Sequence, residues 1–161
     1  MSQNFTQPFL VVPVRQGVGL TSVALGIVRA LQRKGVDVRF AKPVAQEIGD
    51  TSVHFAREIF PATVPEAIPL QDVAEQIADN QTNELMEAIV TLCMNAGEGA
   101  SALVVEGLHT DPAYPFTSQL NIDMARSLKA EVVLVADARV PTAADELRLA
   151  IRQYVNEGCR V

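Results

Sequence analysis

Residues 13–22, PVRQGVGLTS, have the layout of a phosphate-binding loop without its lysine. An apolar strand leads into a glycine-bearing turn, and a helix begins at a hydroxyl residue, so backbone N–H groups at the helix N-terminus would surround phosphate oxygens. A working loop needs a lysine before the Ser/Thr, because its ammonium neutralises the β- and γ-phosphates. Leu20 stands there, and Val14 stands where the strict spacing needs the first glycine. The pattern predicts a nucleotide-binding scaffold that no longer binds phosphate tightly.

Strands that alternate with helices must position this loop. Four apolar segments predict buried parallel strands, at 9–14, 36–41, 102–106 and 131–136. Six segments with helical spacing of apolar residues predict helices, at 21–33, 51–59, 71–79, 82–96, 117–129 and 143–157. This order predicts an α/β fold of three layers, in which a mostly parallel sheet lies between flanking helices. The polar–apolar alternation of 36–41 predicts a half-solvated edge strand.

The spacing of apolar residues also predicts which helix faces are buried. Apolar side chains surround most of the 21–33 helix, which predicts packing on both sides, and Gly35 is placed to end it. In the last helix the spacing directs four side chains inward, those of Leu147, Ala150, Ile151 and Tyr154. A doubly wound sheet normally continues from a helix to another strand. We therefore expect 1–161 to be a single domain from the N-terminal part of a longer polypeptide, the alternative being a small complete domain.

Composition and charge argue against several classes of function. The 161 residues are 48% apolar, enough for one folded domain with a sizeable core. A net charge of −6 argues against nucleic acid or an anionic membrane as partner. The N-terminus lacks signal-peptide features and no apolar run is long enough to span a membrane, which predicts a cytoplasmic protein. The cysteines, Cys93 and Cys159, and the histidines, His54 and His109, lack metal-type spacing, so no metal site is expected.

Several segments resemble, in the same order, the opening of the long bacterial phosphate acetyltransferases. They are PVRQGVGLTSVALG at 13–26, RALQRKGV at 29–36, KPVAQ at 42–46, VVEGL at 104–108 and SQLNI at 118–122. The resemblance implies a P-loop domain of the dethiobiotin-synthetase type. It also implies a parent enzyme that interconverts acetyl-CoA and phosphate with acetyl phosphate and CoA. The acetyl-transfer site would lie in a separate C-terminal domain, so this chain would hold no catalytic residue and no cofactor.

For this segment the resemblance implies a regulatory and assembly role. The implied partners are the C-terminal acetyltransferase domain, a metabolite effector such as NADH or pyruvate, and further copies of the chain in a homo-oligomer. Two alternatives stay open. One is a nucleotide-dependent synthase or kinase with a variant loop, against which Leu20 argues. The other is an interaction module that binds no small molecule.

The active relatives of this fold are ATP-dependent carboxylate-activating synthases, and the resemblance carries their site positions onto this chain. Their loop lysine falls at Leu20, and their first loop glycine falls at Pro13; neither matches. Their Mg²⁺-bound hydroxyl falls at Thr21, their substrate-side lysine at Lys42, and the carboxylate that ends the third strand at Glu106. These three positions match.

A candidate ligand-binding crevice follows from the loop and these matches. It comprises Arg15, Gln16, Gly17, Val18, Gly19, Thr21, Lys42 and Glu106. Each has an ordinary alternative: Thr21 caps the helix, Glu106 caps a loop or pairs with Lys42, and Lys42 is solvated. The two glycines suit a turn with or without phosphate, whereas Arg15 could replace the missing lysine from the loop side. Asp50 is a loosely aligned candidate for a second metal carboxylate.

Overall fold

A four-stranded parallel sheet forms the centre of the computed structural model, which describes residues 6–47, 51–60 and 64–161. Its strands are β1 (Gln7–Pro13), β2 (Val38–Ala41), β5 (Ala102–Glu106) and β6 (Glu131–Val135), in the order β2-β5-β1-β6. A second, two-stranded parallel sheet pairs β3 (Val44–Ala45) with β4 (Ile68–Pro69). The four main strands are those that the sequence predicts. The short pair was missed, because two residues leave no periodicity to detect.

Six helices lie in the described ranges, and each corresponds to a predicted one with small shifts at its ends. They are α1 (Leu20–Arg33), α2 (Thr51–Ile59), α3 (Leu70–Ala78), α4 (Thr82–Gly97), α5 (Thr117–Ser127) and α6 (Ala143–Asn156). The turn after α1 extends to residue 36, because Gly35 has a φ of 78° and Val36 donates its backbone N–H to the Leu31 carbonyl. Strand β2 therefore begins only at Val38. None of the helices in the described ranges is long and apolar enough to cross a membrane.

Two separate apolar cores cover the two faces of the sheet. Because side chains alternate along a strand, Leu10 and Val12 of β1 contribute to one core and Val11 contributes to the other. The first core also holds buried residues of α3, α4 and α5, and the second holds those of α1 and α2. The arrangement confirms the predicted three-layer α/β fold.

The burial of α1 corrects the prediction that it packs on both sides. Its fully buried side chains are Leu20, Ala24 and Val28, which lie on one stripe, while Ala30 is exposed. The remaining apolar side chains of the helix are half-buried at the margins of that stripe. A single layer of helices on this face of the sheet leaves the outer side of α1 in solvent.

Strand β2 lies at the edge of the main sheet, as predicted, and its alternation is partly confirmed. Val38 and Phe40 are each 3% exposed, while the Arg39 side chain between them is 33% exposed. Ala41 departs from the predicted half-solvation, because it is completely buried in the core on the opposite face.

The inward face predicted for α6 is confirmed for Tyr154 and wrong for Ile151. Tyr154 is buried, but Ile151 is 37% exposed, and Leu147 and Ala150 are only half-buried. Strand β6, against which α6 packs, is the outermost strand at its side of the described sheet. The helix therefore has little sheet surface to cover, and apolar side chains such as Leu149 and Val155 remain in solvent.

Burial of the Cys93 thiol makes stability depend on pH in the alkaline range. Desolvation raises its pKa from 9.0 to about 12. Below the unfolded value the thiol is protonated in both states, but as the pH rises from 9 towards 12 the unfolded chain alone loses the proton. We expect the free energy of unfolding, measured in urea, to fall over this range, and to fall less in Cys93→Ala. An equal pH slope in both proteins would contradict the prediction.

Candidate functional site

The loop between β1 and α1 contains two glycines in the left-handed conformation. Gly17 and Gly19 have φ values of 76° and 77°, and Gly19 caps the helix in the left-handed conformation without a side-chain hydrogen bond. Nothing lies within 4 Å of a Cβ built on either glycine, so the conformation, rather than crowding, favours glycine. The loop opens onto a crevice of about 700 Å³, lined by Gln16, Gly17, Gly19, Leu20, Thr21, Ser22, Gln46, Glu47, His109 and Asp111.

The side chain at the position of the phosphate lysine belongs to the core. Leu20 is 1% exposed and packs in the core that α1 and α2 form on one face of the sheet. Its position therefore contributes apolar packing, and it brings no positive charge to the mouth of the loop.

Four polar side chains meet beneath the loop at the carboxyl end of the sheet. Glu106 ends β5, Lys42 follows β2, Thr21 lies in the first turn of α1 and Ser52 lies in the first turn of α2. Glu106 Oε1 accepts a hydrogen bond from Lys42 Nζ at 3.0 Å and lies within hydrogen-bond distance of two hydroxyls, 3.0 Å from Thr21 Oγ1 and 3.1 Å from Ser52 Oγ. The Ser52 hydroxyl lies 2.8 Å from that of Thr21 and accepts from Lys42 Nζ at 3.1 Å.

These contacts form one network, which we call the Lys42–Glu106 cluster: Thr21, Lys42, Ser52 and Glu106. Each hydroxyl has one proton, so Lys42 can donate to Ser52, Ser52 to Thr21 and Thr21 to Glu106. Lys42 also donates directly to Glu106, and this ion pair is buried, with side-chain exposures of 5% and 0%. An ammonium and a carboxylate removed from water stabilise each other only with such geometry and additional hydrogen bonds.

The cluster decides between the alternatives for three predicted residues. Thr21 lies inside α1 and directs its hydroxyl to Glu106, so it is not the N-cap. Lys42 is not solvated, since it is 4% exposed, and Glu106 pairs with it. Ser52, which completes the cluster, was missed because a serine in the first turn of a helix is an ordinary residue there.

Of the other predicted loop residues, Gln16 lines the crevice, whereas Arg15 and Val18 lie outside its lining. Arg15 is 45% exposed at its side chain and lies 3.6 Å from the Glu146 carboxylate of α6, outside the crevice lining. Gln16 donates its amide to the Thr110 carbonyl at 2.7 Å. Val18 packs partly buried at the edge of the core beneath α1. Their role in binding a ligand stays a prediction.

Three amide side chains fix the segment that follows β5, at 107–110. Gln46 donates to the His109 carbonyl at 3.0 Å and accepts from the His109 N–H at 2.6 Å. Asn121 of α5 forms the corresponding pair with the backbone of Leu108, at 2.9 and 2.8 Å. With the Gln16 contact, this segment is tied to the loop, to the strand pair and to α5. We call the three side chains the amide clamp.

Comparison with known proteins identifies the family of the chain. The model of the AAA domain family matches residues 7–161. This chain belongs to that family. Among curated proteins, the AAA domain is similar to phosphate acetyltransferases of Deinococcus radiodurans, with 41% identity over 88% of the chain, and of Pseudomonas aeruginosa, with 37% over 80%. The resemblance found in the sequence is thereby confirmed.

The matched region is a small part of those relatives. It covers 21% of the Deinococcus enzyme, 19% of the Pseudomonas enzyme and 18% of the Escherichia coli phosphate acetyltransferase, to which the chain is 34% identical. The chain therefore spans about a fifth of the length of the curated relatives that it matches.

Solved structures confirm the P-loop fold. The cell division protein FtsY of Thermotoga maritima aligns with a TM-score of 0.67 over 94% of this chain and 50% of that chain. A DUF1611 family protein of Anabaena variabilis aligns with a TM-score of 0.62 over 94% of this chain and 40% of its own. Sequence identities of 15% and 18% limit these likenesses to the fold.

The Mg²⁺ ion that the resemblance implies would have to compete with the Lys42 ammonium for Glu106. Mg²⁺ needs octahedral oxygen ligands and keeps several of its waters. Here Glu106 Oε1 already accepts from the Lys42 ammonium and from a hydroxyl. No group of three or more His, Cys, Asp or Glu side chains suited to a metal occurs among residues 6–47, 51–60 and 64–161. Asp50, the candidate second carboxylate, lies outside the described residues.

The amide clamp predicts a stability cost for Asn121→Ala. The substitution leaves the buried N–H and C=O of Leu108 without their side-chain partner, which costs about 1–3 kcal/mol. We expect the urea midpoint to fall accordingly. Gln119→Ala removes an exposed amide of the same helix and is the matched control, with an expected change below about 0.5 kcal/mol. Equal effects of the two substitutions would contradict the clamp.

Close packing after β5 predicts that Gly107→Ala destabilises the fold. A Cβ there would lie 2.6 Å from Val12 Cγ1 and 2.8 Å from Asn121 Oδ1. Overpacking of this kind costs about 1–3 kcal/mol, measured by chemical denaturation. Gly26→Ala in α1, whose Cβ meets nothing within 4 Å, should instead stabilise by about 0.5–1 kcal/mol. If Gly107→Ala left the free energy of unfolding unchanged, Val12 of β1 and Asn121 of α5 would have to move to accommodate the added Cβ, and the prediction would be contradicted.

Proposed function

We propose that this AAA domain is a non-catalytic regulatory and assembly domain, the N-terminal part of a phosphate acetyltransferase. The parent enzyme would interconvert acetyl-CoA and phosphate with acetyl phosphate and CoA. Similarity to phosphate acetyltransferases over about a fifth of their length supports this assignment. The two free, buried cysteines, Cys93 and Cys159, are consistent with a reducing cytoplasm, where we place the protein.

The observation that carries the non-catalytic role is the lack of a free cation beneath the loop, where the described contacts pair Lys42 with Glu106. Phosphoryl transfer depends on cations that neutralise the transferred group. In this crevice Leu20 is packed in the core, and the Lys42 ammonium is bound to Glu106. The geometry therefore favours a binding or structural role for the crevice over a synthase or kinase activity.

The surface of α6 supports the assembly part of the proposal. Leu149 is 67% exposed and Val155 is 53% exposed, on a helix that packs against the outermost strand β6. Exposed apolar side chains on one element are typical of a surface that contacts another domain or subunit. We propose that the C-terminal acetyltransferase domain or a further copy of the chain covers this helix.

A metabolite effector, with NADH and pyruvate as candidates, would give the crevice its regulatory role. A ligand that binds the folded protein at about 100 times its Kd stabilises it by about 2.7 kcal/mol. We expect NADH or pyruvate to raise the melting temperature of the protein. An unchanged melting temperature with every metabolite would favour an interaction module that binds no small molecule. Hydrolysis of ATP would favour the nucleotide-dependent synthase.

The direct test uses the full-length acetyltransferase that contains this domain. Deletion of residues 1–161 should leave acetyl transfer, followed as acetyl phosphate formation, within a few-fold of the parent rate. It should reduce the response to NADH and pyruvate and shift the oligomeric state, measured by light scattering.

A matched control keeps the domain and changes only α6. Leu149→Ser with Val155→Ser should alter assembly while the effector response of the crevice persists. Loss of acetyl transfer after deletion, in a protein that remains folded and oligomeric, would contradict a non-catalytic role.

A further inference from the structure

We propose that the outer edge of β6 is a docking edge for a further parallel strand, formed by the polypeptide that follows Val161 in the parent enzyme. This strand deepens the proposed function, on which it rests, because it would join the AAA domain to the rest of the acetyltransferase. The occupant is a covalently continuous segment. A second copy of the chain is the alternative that the test must exclude.

The backbone groups of β6 show which of its edges is open. The Val135 carbonyl accepts from the Val14 N–H on the side of β1. Successive residues of a strand turn their N–H and C=O groups to opposite edges, so Val132 and Leu134 direct theirs outward. Apart from a bridge at Arg160, no strand in the described ranges pairs with this outer edge. The backbone of Leu134 is therefore open to a further strand.

The chain itself begins to occupy that edge. The Val132 N–H donates to the Arg160 carbonyl at 2.8 Å, and Arg160 forms a parallel bridge with Glu131. The path from β6 through α6 to this bridge is a βαβ crossover, the connection that joins neighbouring parallel strands. Continuation in the same register puts Val161 opposite Val132 and the next three residues opposite 133–135. The bridge thus gives the direction and the register of the proposed strand.

The two edges of the main sheet differ in their side chains. The β2 edge carries the charged Arg39 between two buried residues, and a charge on an edge strand opposes the addition of another strand. In contrast, β6 has four consecutive apolar residues at 132–135, without a proline or a charge. Continuous apolar runs are typical of parallel strands that are covered by neighbours. The sequence of β6 therefore suits an interior strand.

Helix α6 has apolar surface that the same strand would cover. The helix of a βαβ unit packs over the sheet that its two strands form, and α6 contacts β6. On the face towards the sheet Tyr154 is buried, whereas Ile151, one turn earlier, is 37% exposed. A strand beside β6 would widen the sheet under α6, and we expect it to bury Ile151.

A second copy of the chain is a poorer occupant of this edge. Arg160 already takes the first part of it, so another copy could pair only with 133–135. A contact of three residues is far smaller than a stable interface, which buries about 1,200–2,000 Å². A segment that continues from Val161 loses no translational freedom when it docks, because it is already attached.

Parallel alignment also brings the end of the proposed strand towards the crevice. The hydrogen bond between Val14 and Val135 places the ends of β1 and β6 side by side, and the loop of the crevice follows β1. This carboxyl end is where open α/β sheets bind ligands. The polypeptide that leaves the docked strand would therefore start beside the crevice, which gives a direct path from the crevice to the rest of the enzyme.

Hydrogen–deuterium exchange, resolved to single amides, tests the proposal in residues 1–161 and in the full-length acetyltransferase that contains them. We expect the Leu134 amide to exchange about 100-fold more slowly in the full-length enzyme, where the added strand would accept its hydrogen bond. The matched control is the Val133 amide, which faces β1 and should exchange slowly in both proteins. Equally fast exchange of Leu134 in the two proteins would overturn the proposal.

A full-length variant with Gly-Pro-Gly inserted after Val161 decides the matter even where 1–161 does not fold. The insertion interrupts the proposed strand, so Leu134 should exchange fast while Val133 stays slow. Persistent protection of Leu134 in this variant would assign the edge to another part of the enzyme and refute the continuous segment. Slow exchange of Leu134 in 1–161 that speeds up on dilution would show a second copy on the edge and would also refute it.

Exchange at Leu134 involves neither acetyl transfer nor an effector. Failure of the strand is therefore distinguishable from failure of the proposed function.

Discussion

The ion pair of Lys42 and Glu106 is the interaction on which the crevice depends. It joins the end of β5 to the segment after β2, and its hydroxyl partners bring in the first turns of α1 and α2. Two charges that leave water together gain little net free energy, but the loss of either one is costly. The pair therefore specifies how four elements meet at the carboxyl end of the sheet, and this end is where open α/β sheets bind ligands.

The same end of the sheet retains the glycine-containing loop of a P-loop fold but lacks its phosphate-binding lysine. The left-handed glycines and the uncapped start of α1 are retained, but the lysine position packs in the core. The amide clamp holds 107–110 to the loop through Gln16, to the strand pair through Gln46 and to α5 through Asn121. A ligand that enters the crevice would meet backbone groups and amides tied into one unit.

Sequence reasoning succeeded where a pattern is local and failed where the partner is distant. The apolar runs of β1 and β5 predicted central strands, and the resemblance placed Thr21, Lys42 and Glu106 in one region. Ser52 could not be found in this way, because a hydroxyl carries no periodic signal and its partner Glu106 is 54 residues away. The exposure of Ile151 in α6 was missed for a related reason: helical spacing describes the helix but does not say how much sheet lies beneath it.

The most direct test of the account is a calorimetric titration of the protein with ATP in the presence of Mg²⁺, followed by an assay for released phosphate. The account predicts no saturable heat and no hydrolysis, because a core leucine and an internally paired lysine leave the nucleotide without cations at the loop. Saturable binding that depends on Mg²⁺ and on Glu106, with turnover of the nucleotide, would contradict it.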